Sequence, residues 1–443
     1  MAIRDFFGGT QQNISVISPL SKAHQQRQAL FGEYWKYYRG RHTKHLKVRP
    51  NTPDDNVILN YSKRVVNKSV QFLFGQPLQF EIDGEDDRSD RELFLDAVWG
   101  NDETKMQLLQ TVAVNGSVCG QAFLRLHPPA QMGDLPRIVN LDPLLVDVLT
   151  NDDDVEQVQS YRIVWKVGDE WRRHRIDLLE SGQWSITEEV NRRNQIWQMV
   201  NEELWPWTFP PIVHCQNQPL PNSFWGMSDL EDADVNDAIN FAASNINRIL
   251  RFHAHPKTIG TGFDARQLEN TAVEEFWTIQ NTDARVFNLE MDSDLGSAYA
   301  FMQELKQAYS KVTGIPDLDP SQVNVGALSG FALKILYGDL LELTSVKRNT
   351  YGAMLIEANK RILEMSGYGA DNDISLQWSS PLPESDSEEA ATLNIDRQNG
   401  LSAETYLERR GYNIERETER LQDEAAGQAN IGEQLLAAFE RGA

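Results

Sequence analysis

The stretch 219-PLPNSFWGMSDLEDADVNDAINFAASNINRILRFHAHP-256 decides the architecture of this chain of 443 residues. It opens as a turn, places Ser228 as an N-cap with acids in the first turn, and predicts a helix that continues to about Phe252. At roughly 1.5 Å per residue, about 24 residues form a rod about 36 Å long. One side of this rod is acidic, with no cation before Arg248. The acids are Asp229, Glu231, Asp232, Asp234 and Asp237.

A second rod follows after a compact insert. Residues 256–291 read as a strand, a short helix and another strand, and 295–313 predict an amphipathic helix that Gly314 and Pro316 end. The stretch 317-DLDPSQVNVGALSG-330 is then predicted as a loop, and a long helical run covers about 331–365. The two rods therefore bracket a small α/β lobe.

The first half of the chain mixes helices with strands. Helices are predicted over 19–39, 60–73 and 90–114, and a short strand over 78–82. Between 120 and 184 the pattern changes to short alternating runs separated by Gly, Pro, Asn and Asp, which is typical of strands. The predicted fold class is α+β.

Charge is unevenly distributed along the chain. The formal net charge is −23, which excludes high-affinity DNA binding over a broad surface. Residues 1–70 nevertheless hold twelve Lys and Arg against four acids, whereas 366–443 hold six Arg against sixteen acids. This asymmetry indicates either partner surfaces or merely solvated faces, and the sequence leaves both open.

The cysteine content and the pattern of apolar residues indicate the cellular compartment. Cys119 and Cys215 are the only cysteines, so one subunit can build neither a disulfide framework nor a cysteine-based metal site. The N-terminus lacks a basic segment followed by an apolar core, and no apolar run of about 18 residues occurs. We expect a soluble protein in a reducing compartment.

Catalytic motifs are missing from the sequence. It contains no Walker A, GxSxG, HExxH or GxGxxG pattern. The alternative to a structural protein is a metal-dependent nuclease or hydrolase that uses Asp clusters, and a further one is a monomeric adaptor with a Trp-rich surface. Solvated turns and a helix end remain the simpler interpretation of the candidate ligands. They are Asp152, Asp153, Asp154, His253, His255, Asp292, Asp294, Asp317, Asp319, Asp371 and Asp373.

Four segments carry a family resemblance. They are 57-VILNYSKRVVNKSVQFLFGQPLQF-80, 114-VNGSVCGQAFLRLH-127, 225-WGMSDLEDADVNDAINFAASNI-246 and 313-TGIPDLDPSQVNVGALSGFAL-333. In their order and local sequence they resemble the portal protein of tailed bacteriophages, in particular the siphophage type. The resemblance spans most of residues 55–370.

The resemblance implies a ring, normally of twelve copies, at one capsid vertex, with double-stranded DNA passing through its axial channel. It implies a structural protein without catalytic residues, cofactor or metal. By analogy the chain divides into a wing at 1–225 and 331–380, stem helices at 226–252 and 294–316, a clip at 253–293, a tunnel loop at 317–330 and a crown at 381–443.

The resemblance also implies site residues and partners. The tunnel loop would present Val323, Asn324, Val325, Gly326, Leu328 and Ser329 to the channel, and the acids Asp229, Glu231, Asp232, Asp234 and Asp237 would line the stem. DNA contacts would be weak and non-specific. Expected partners are further copies of the chain, the terminase large subunit, and head-completion, connector, scaffolding and major capsid proteins, with no membrane. The implied location is the virion, with host cytoplasm during assembly.

Overall fold

A computed structural model describes most of the chain up to residue 382. The described residues are 20–48, 50, 53–82, 90–129, 131, 133–192, 196–254, 257–262, 283, 285–289, 295–317, 330–369 and 373–382, with the isolated residues 395, 398, 400 and 402. Contacts divide the chain into two units, 1–327 with 333–381 and 328–332 with 382–443. Almost all described residues belong to the first unit.

The N-terminal part is mainly helical. Its elements are α1 Lys22–Tyr38, α2 Tyr61–Phe74, β1 Leu78–Ile82, α3 Asp90–Trp99 and α4 Asp102–Cys119. The single helix predicted over 90–114 is wrong, because Gly100 adopts a φ of +81° and ends α3. Asn101 then caps α4 by accepting the Thr104 N–H at 2.9 Å.

Two antiparallel sheets follow. The strands are β2 Gln121–His127, β3 Arg137–Leu141, β4 Val146–Thr150, β5 Val158–Val167, β6 Glu170–Leu178, β7 Trp184–Arg192, β8 Gln198–Leu204 and β9 Ile212–Gln216. One sheet has the order β3-β2-β9, and the other is a meander in the order β4-β5-β6-β7-β8. This confirms the strands predicted between residues 120 and 184.

The C-terminal part returns to helices. Its elements are α5 Asp234–Ala254, β10 Lys257–Thr261, β11 Arg285–Leu289, α6 Leu295–Thr313, α7 Gly330–Leu336, α8 Gly338–Met365 and β12 Ile374–Trp378. Strand β10 pairs with β11, and β12 returns to pair with β1, both antiparallel. The long helix predicted over 331–365 is interrupted at Tyr337, and the short helix predicted between β10 and β11 lies outside the described residues.

The centre of the first unit is a buried ion pair. Lys347 of α8 lies 2.6 Å from the Asp229 carboxylate, and their side chains are 1% and 2% exposed. Lys347 also donates to Ser69 of α2 at 2.6 Å, while Asn217 and Gln218 donate to Asp229 at 2.8 and 2.9 Å. The network therefore joins α2, α8, the segment after β9 and the segment before α5.

This network sets the ionisation of the Asp229 carboxyl. Burial alone raises the pKa of Asp229, but the Lys347 ammonium and the amides of Asn217 and Gln218 outweigh it. The net pKa of Asp229 is lowered. Burial lowers the pKa of Lys347, and Asp229 opposes that change.

Close backbone contacts bring the network together. A Cβ at Gly120 would lie 2.4 Å from the Gly226 carbonyl oxygen, and one at Gly116 would lie 1.8 Å from the Tyr351 hydroxyl. The Asp229 N–H donates to the Ser117 carbonyl at 2.9 Å. Two of the segments that carry the portal resemblance, 114–127 and 225–246, therefore pack directly against each other.

A titratable side chain lies between the two sheets. The Tyr161 hydroxyl of β5 is 3.1 Å from Nδ1 of His214 on β9. Burial, with a smaller effect of Arg361, lowers the pKa of His214 to about 4. The folded chain therefore keeps this imidazole neutral.

None of the described helices combines the length and the apolar character needed to cross a membrane.

We predict that Lys347→Met lowers the free energy of unfolding by about 3–5 kcal/mol, because it leaves a buried carboxylate without its cation. Urea unfolding measures this. The double variant Asp229→Asn/Lys347→Met should lose less, since no buried charge remains. As a control, Asp317→Asn breaks the exposed pair with Arg64, whose side chains are 38% and 45% exposed, and should change stability by less than about 1 kcal/mol. Equal losses for Lys347→Met and the control would contradict the prediction.

We predict acid sensitivity from His214. The unfolded imidazole has a pKa of roughly 6.5, so the unfolded chain binds a proton more readily as pH falls toward 4, and stability is lost over that range. His214→Gln should remove up to roughly 3 kcal/mol of this pH dependence. Melting temperatures at pH 7, 6 and 5 test it, and parallel curves for the variant and the parent would show that His214 is not responsible.

Candidate functional site

The acidic segment before α5 does not form the start of a rod. The helix begins at Asp234, whereas the sequence predicted a start near Ser228. The Ser228 hydroxyl instead donates to the Val118 carbonyl at 2.7 Å and accepts the Leu230 N–H. Asp229 was predicted to line a channel, and this is wrong because its carboxylate is buried against Lys347.

The other four acids stay close to the surface. Glu231, Asp232 and Asp234 are exposed, and Asp237 is half-buried. Asp237 accepts a hydrogen bond from the Tyr37 hydroxyl of α1 at 2.9 Å. Burial, together with Glu231 and Asp232, raises the pKa of Tyr34 to about 12, so their negative field reaches α1.

A cavity of about 310 Å³ borders this acidic segment. Its walls come from α2, the segment before α5, the end of α6 and the start of α8. Glu231, Asp232 and Asp339 contribute acids, and Lys311 contributes a cation. The cavity therefore extends the negative surface beside the N-terminus of α5.

Helix α5 is bound to the preceding part of the chain by a row of polar side chains. Asn236 donates to the Leu59 carbonyl at 2.8 Å, Asn240 accepts the Leu59 N–H at 2.9 Å, and Ser244 accepts the Val57 N–H at 2.9 Å. These residues recur every four positions and share one helix face. The extended segment 55–59 thus runs along α5, with its backbone bonded to side chains.

This polar face was not predicted from the sequence. The predicted packing stripe was Val235, Ile239, Ala242, Ile246 and Ile249, but only Ile239 of these is fully buried. Asn236, Asn240 and Ser244 are buried as well. Their four-residue spacing was a readable signal, because buried amides must find partners.

Helices α5 and α6 pack together and still expose apolar side chains. On α5, Phe241 and Phe252 are exposed, and on α6, Phe301 and Val312 are exposed. Each pair is eleven residues apart, close to three helical turns, so each lies on one face. Neither face belongs to the buried side of its helix.

Cations near the C-terminal end of α5 are engaged within the chain. Arg248 and Arg251 both contact the buried Asp55 carboxylate, at 3.3 and 2.6 Å. Lys334 on α7 is exposed. The predicted tunnel-loop residues Val323, Asn324, Val325, Gly326, Leu328 and Ser329 lie outside the described residues.

Metal-ligand clusters do not occur within the described part of the chain. Asp152, Asp153 and Asp154 lie in an exposed turn, and Asp317 pairs with Arg64 at 2.8 Å. His253 is exposed in the last turn of α5, and Asp373 is exposed directly before β12. The remaining candidate ligands, His255, Asp292, Asp294, Asp319 and Asp371, lie outside the described residues.

Several solved structures of gene transfer agent (GTA) particles contain chains similar to this one. A chain in the virion of a native GTA particle is 14% identical over 86% of this chain and 93% of that chain, with a TM-score of 0.46. A chain in the neck of an empty GTA particle, determined with C6 symmetry, is 15% identical over 80% and 90%, with a TM-score of 0.49. A chain in the neck of a native particle, determined with C12 symmetry, is 14% identical over 80% and 89%, with a TM-score of 0.44.

Family membership follows from the sequence. No curated protein matches the chain. The family model described as "Phage portal protein, SPP1 Gp6-like" matches residues 18–430, which is nearly the whole length. The chain therefore belongs to the SPP1 Gp6-like family of phage portal proteins.

Proposed function

We propose that the protein forms a ring at one capsid vertex through which double-stranded DNA passes during packaging and ejection. Membership of the portal family is the observation that carries this proposal. The ring is built from about twelve copies and has no catalytic role. It belongs to the virion and assembles in the host cytoplasm.

Exposed apolar faces on the packed helices α5 and α6 support the proposed ring. A closed ring needs a heterologous interface, in which one surface of a copy contacts a different surface of the next. The face with Phe241 and Phe252 on α5 and the face with Phe301 and Val312 on α6 provide two such surfaces. Packing one against the other removes apolar area from water and can repeat around an axis.

The acids near the N-terminus of α5 support the channel. Glu231, Asp232 and Asp234 are exposed and Asp237 is partly so, and a negative lining repels phosphate. Such a lining lets DNA slide because it offers few contacts. Asp229 takes no part in this lining and instead fixes the segment from which the other acids project.

The remaining assignments follow the family analogy. We assign α5 and α6 to the stem, the β10–β11 hairpin to the clip, and the elements before α5 together with α7, α8 and β12 to the wing. Residues 317–330 form the tunnel loop that narrows the channel, and 381–443 form the crown. The clip docks the terminase large subunit and later the head-completion and connector proteins, while scaffolding and major capsid proteins contact the ring from the head.

We predict that the purified protein assembles into particles of about 600 kDa, as expected for twelve copies of 50.5 kDa. Mass photometry and electron micrographs should show rings with a central hole. Phe241→Glu and Phe301→Glu should each shift the mass distribution toward monomers. Each places a charge in the proposed contact between the α5 face of one copy and the α6 face of the next. The control Gln307→Glu changes an exposed residue of α6 away from Phe301 and should assemble like the parent. A parent that stays monomeric at every salt and protein concentration would contradict the ring.

We predict that deleting residues 322–329 leaves ring assembly intact and impairs DNA packaging or retention. The reason is that the tunnel loop contacts DNA in the channel, whereas the contacts between copies that hold the ring together lie on other segments. Particle mass and the amount of packaged DNA protected from nuclease measure the two effects separately. If the deletion prevented assembly, the loop would be a structural element of the ring.

A further inference from the structure

Strand β8 is an open edge of the five-stranded sheet. Among the described strands only β7 pairs with it, and all seven of its residues are exposed. Met199, Val200 and Leu204 are 63%, 65% and 63% exposed. The edge also carries the exposed acids Glu202 and Glu203, but it has no lysine or proline, and the unpaired backbone groups of an open edge are a template for another strand.

The segment 12-QNISVIS-18 has the properties of such a strand. It has seven residues, the same number as β8, and Pro19 ends it. It carries no charge, Ile14 and Val16 alternate with Asn13 and Ser15, and Ile17 adds a third β-branched residue, a composition typical of strands. It can therefore place backbone donors and acceptors against β8 without bringing a charge to Met199 or Leu204.

The segment cannot reach β8 of its own chain. The Ser21 hydroxyl donates to the Asp147 carboxylate of β4 at 3.1 Å, at the opposite edge of the same sheet. Asp147 and Glu202 of β8 are related by four successive strand pairings through Arg162, Arg175 and Thr187. At about 4.8 Å per pairing, a strand added outside β8 lies about 24 Å from β4.

The chain between the two positions is too short. From Ser18 to Ser21 it spans at most about 11 Å, which falls short of 24 Å even with the length of the hydrogen-bonded side chains added. The β8 edge that this segment can pair with therefore belongs to another molecule.

We propose that residues 12–18 of one copy add a sixth strand to the meander sheet of a neighbouring copy by pairing with β8. This proposal rests on the proposed ring, in which every copy has a neighbour on each side. Backbone hydrogen bonds supply most of the contact, as in other cases of strand addition. Because each copy both gives and receives a segment, the exchange can continue around a closed ring.

Hydrogen exchange tests the pairing in the assembled full-length protein. In the parent, amides of residues 198–204 should exchange at least tenfold more slowly than in Ile14→Pro/Val16→Pro, because proline removes the donors of the added strand. The matched control Ile14→Val/Val16→Ile keeps a strand-forming segment and should protect β8 like the parent. Equal exchange in the parent and the proline variant would overturn the proposal.

Cross-linking identifies the molecule that supplies the strand. Two pools that each carry one added cysteine, Val16→Cys or Val200→Cys, are co-assembled and treated with a short bismaleimide. The native Cys119 and Cys215 are buried, so the added cysteines are the accessible ones. A cross-linked product that contains one chain from each pool supports exchange between copies.

The particle mass of the same samples separates this proposal from the ring itself. Rings without cross-links between the pools overturn the strand exchange and leave the ring intact. A protein that remains monomeric overturns both.

Discussion

The buried pair of Asp229 and Lys347 is the constraint on which the arrangement of the first unit depends. An isolated buried charge is costly, so each partner requires the other and both require further hydrogen bonds. Ser69, Asn217 and Gln218 supply them, which fixes α2, α8 and the segment after β9 around one point. The chain leaves this point toward α5, and Glu231, Asp232 and Asp234 emerge at the surface within five residues. A charge buried in the core thus positions the charges that remain outside.

Helix α5 has three faces with different surroundings. Its first face carries Asn236, Asn240 and Ser244, which bond to the backbone of the extended segment before α2. Its second face includes Ile239, which lines a small cavity together with Tyr309 and Thr313 of α6, and its third exposes Phe241 and Phe252. The first face relies on directed hydrogen bonds, so it fixes the position of the segment along the helix. An apolar contact alone would permit sliding, because hydrophobic burial has no direction.

The sequence predicted those features that depend on local pattern. The bounds of β1 and the existence of α1, α2, α6 and β12 follow from periodicity and end signals, and the order of segments identified the family. Features that depend on distant partners were missed. Asp229 meets Lys347 across 118 positions, so its burial cannot be read from the acidic run around it. The break at Gly100 depends on a positive φ, and the polar face of α5 depends on a segment about 180 residues earlier.

Ion pairs within the chain make the basic N-terminal part compatible with an acidic conduit. Arg27 pairs with Asp147, Lys44 with Asp54 at 2.6 Å, and Arg64 with Asp317 at 2.8 Å. These cations are engaged by acids of the same chain and so contribute little attraction for phosphate. In the proposed ring the field at the acidic segment is then set by Glu231, Asp232 and Asp234, and Lys311 is a cation that lines the adjoining cavity. Pairing with acids of the same chain therefore reduces the positive charge that these three cations add to the surface, which favours a conduit that repels DNA in the proposed ring.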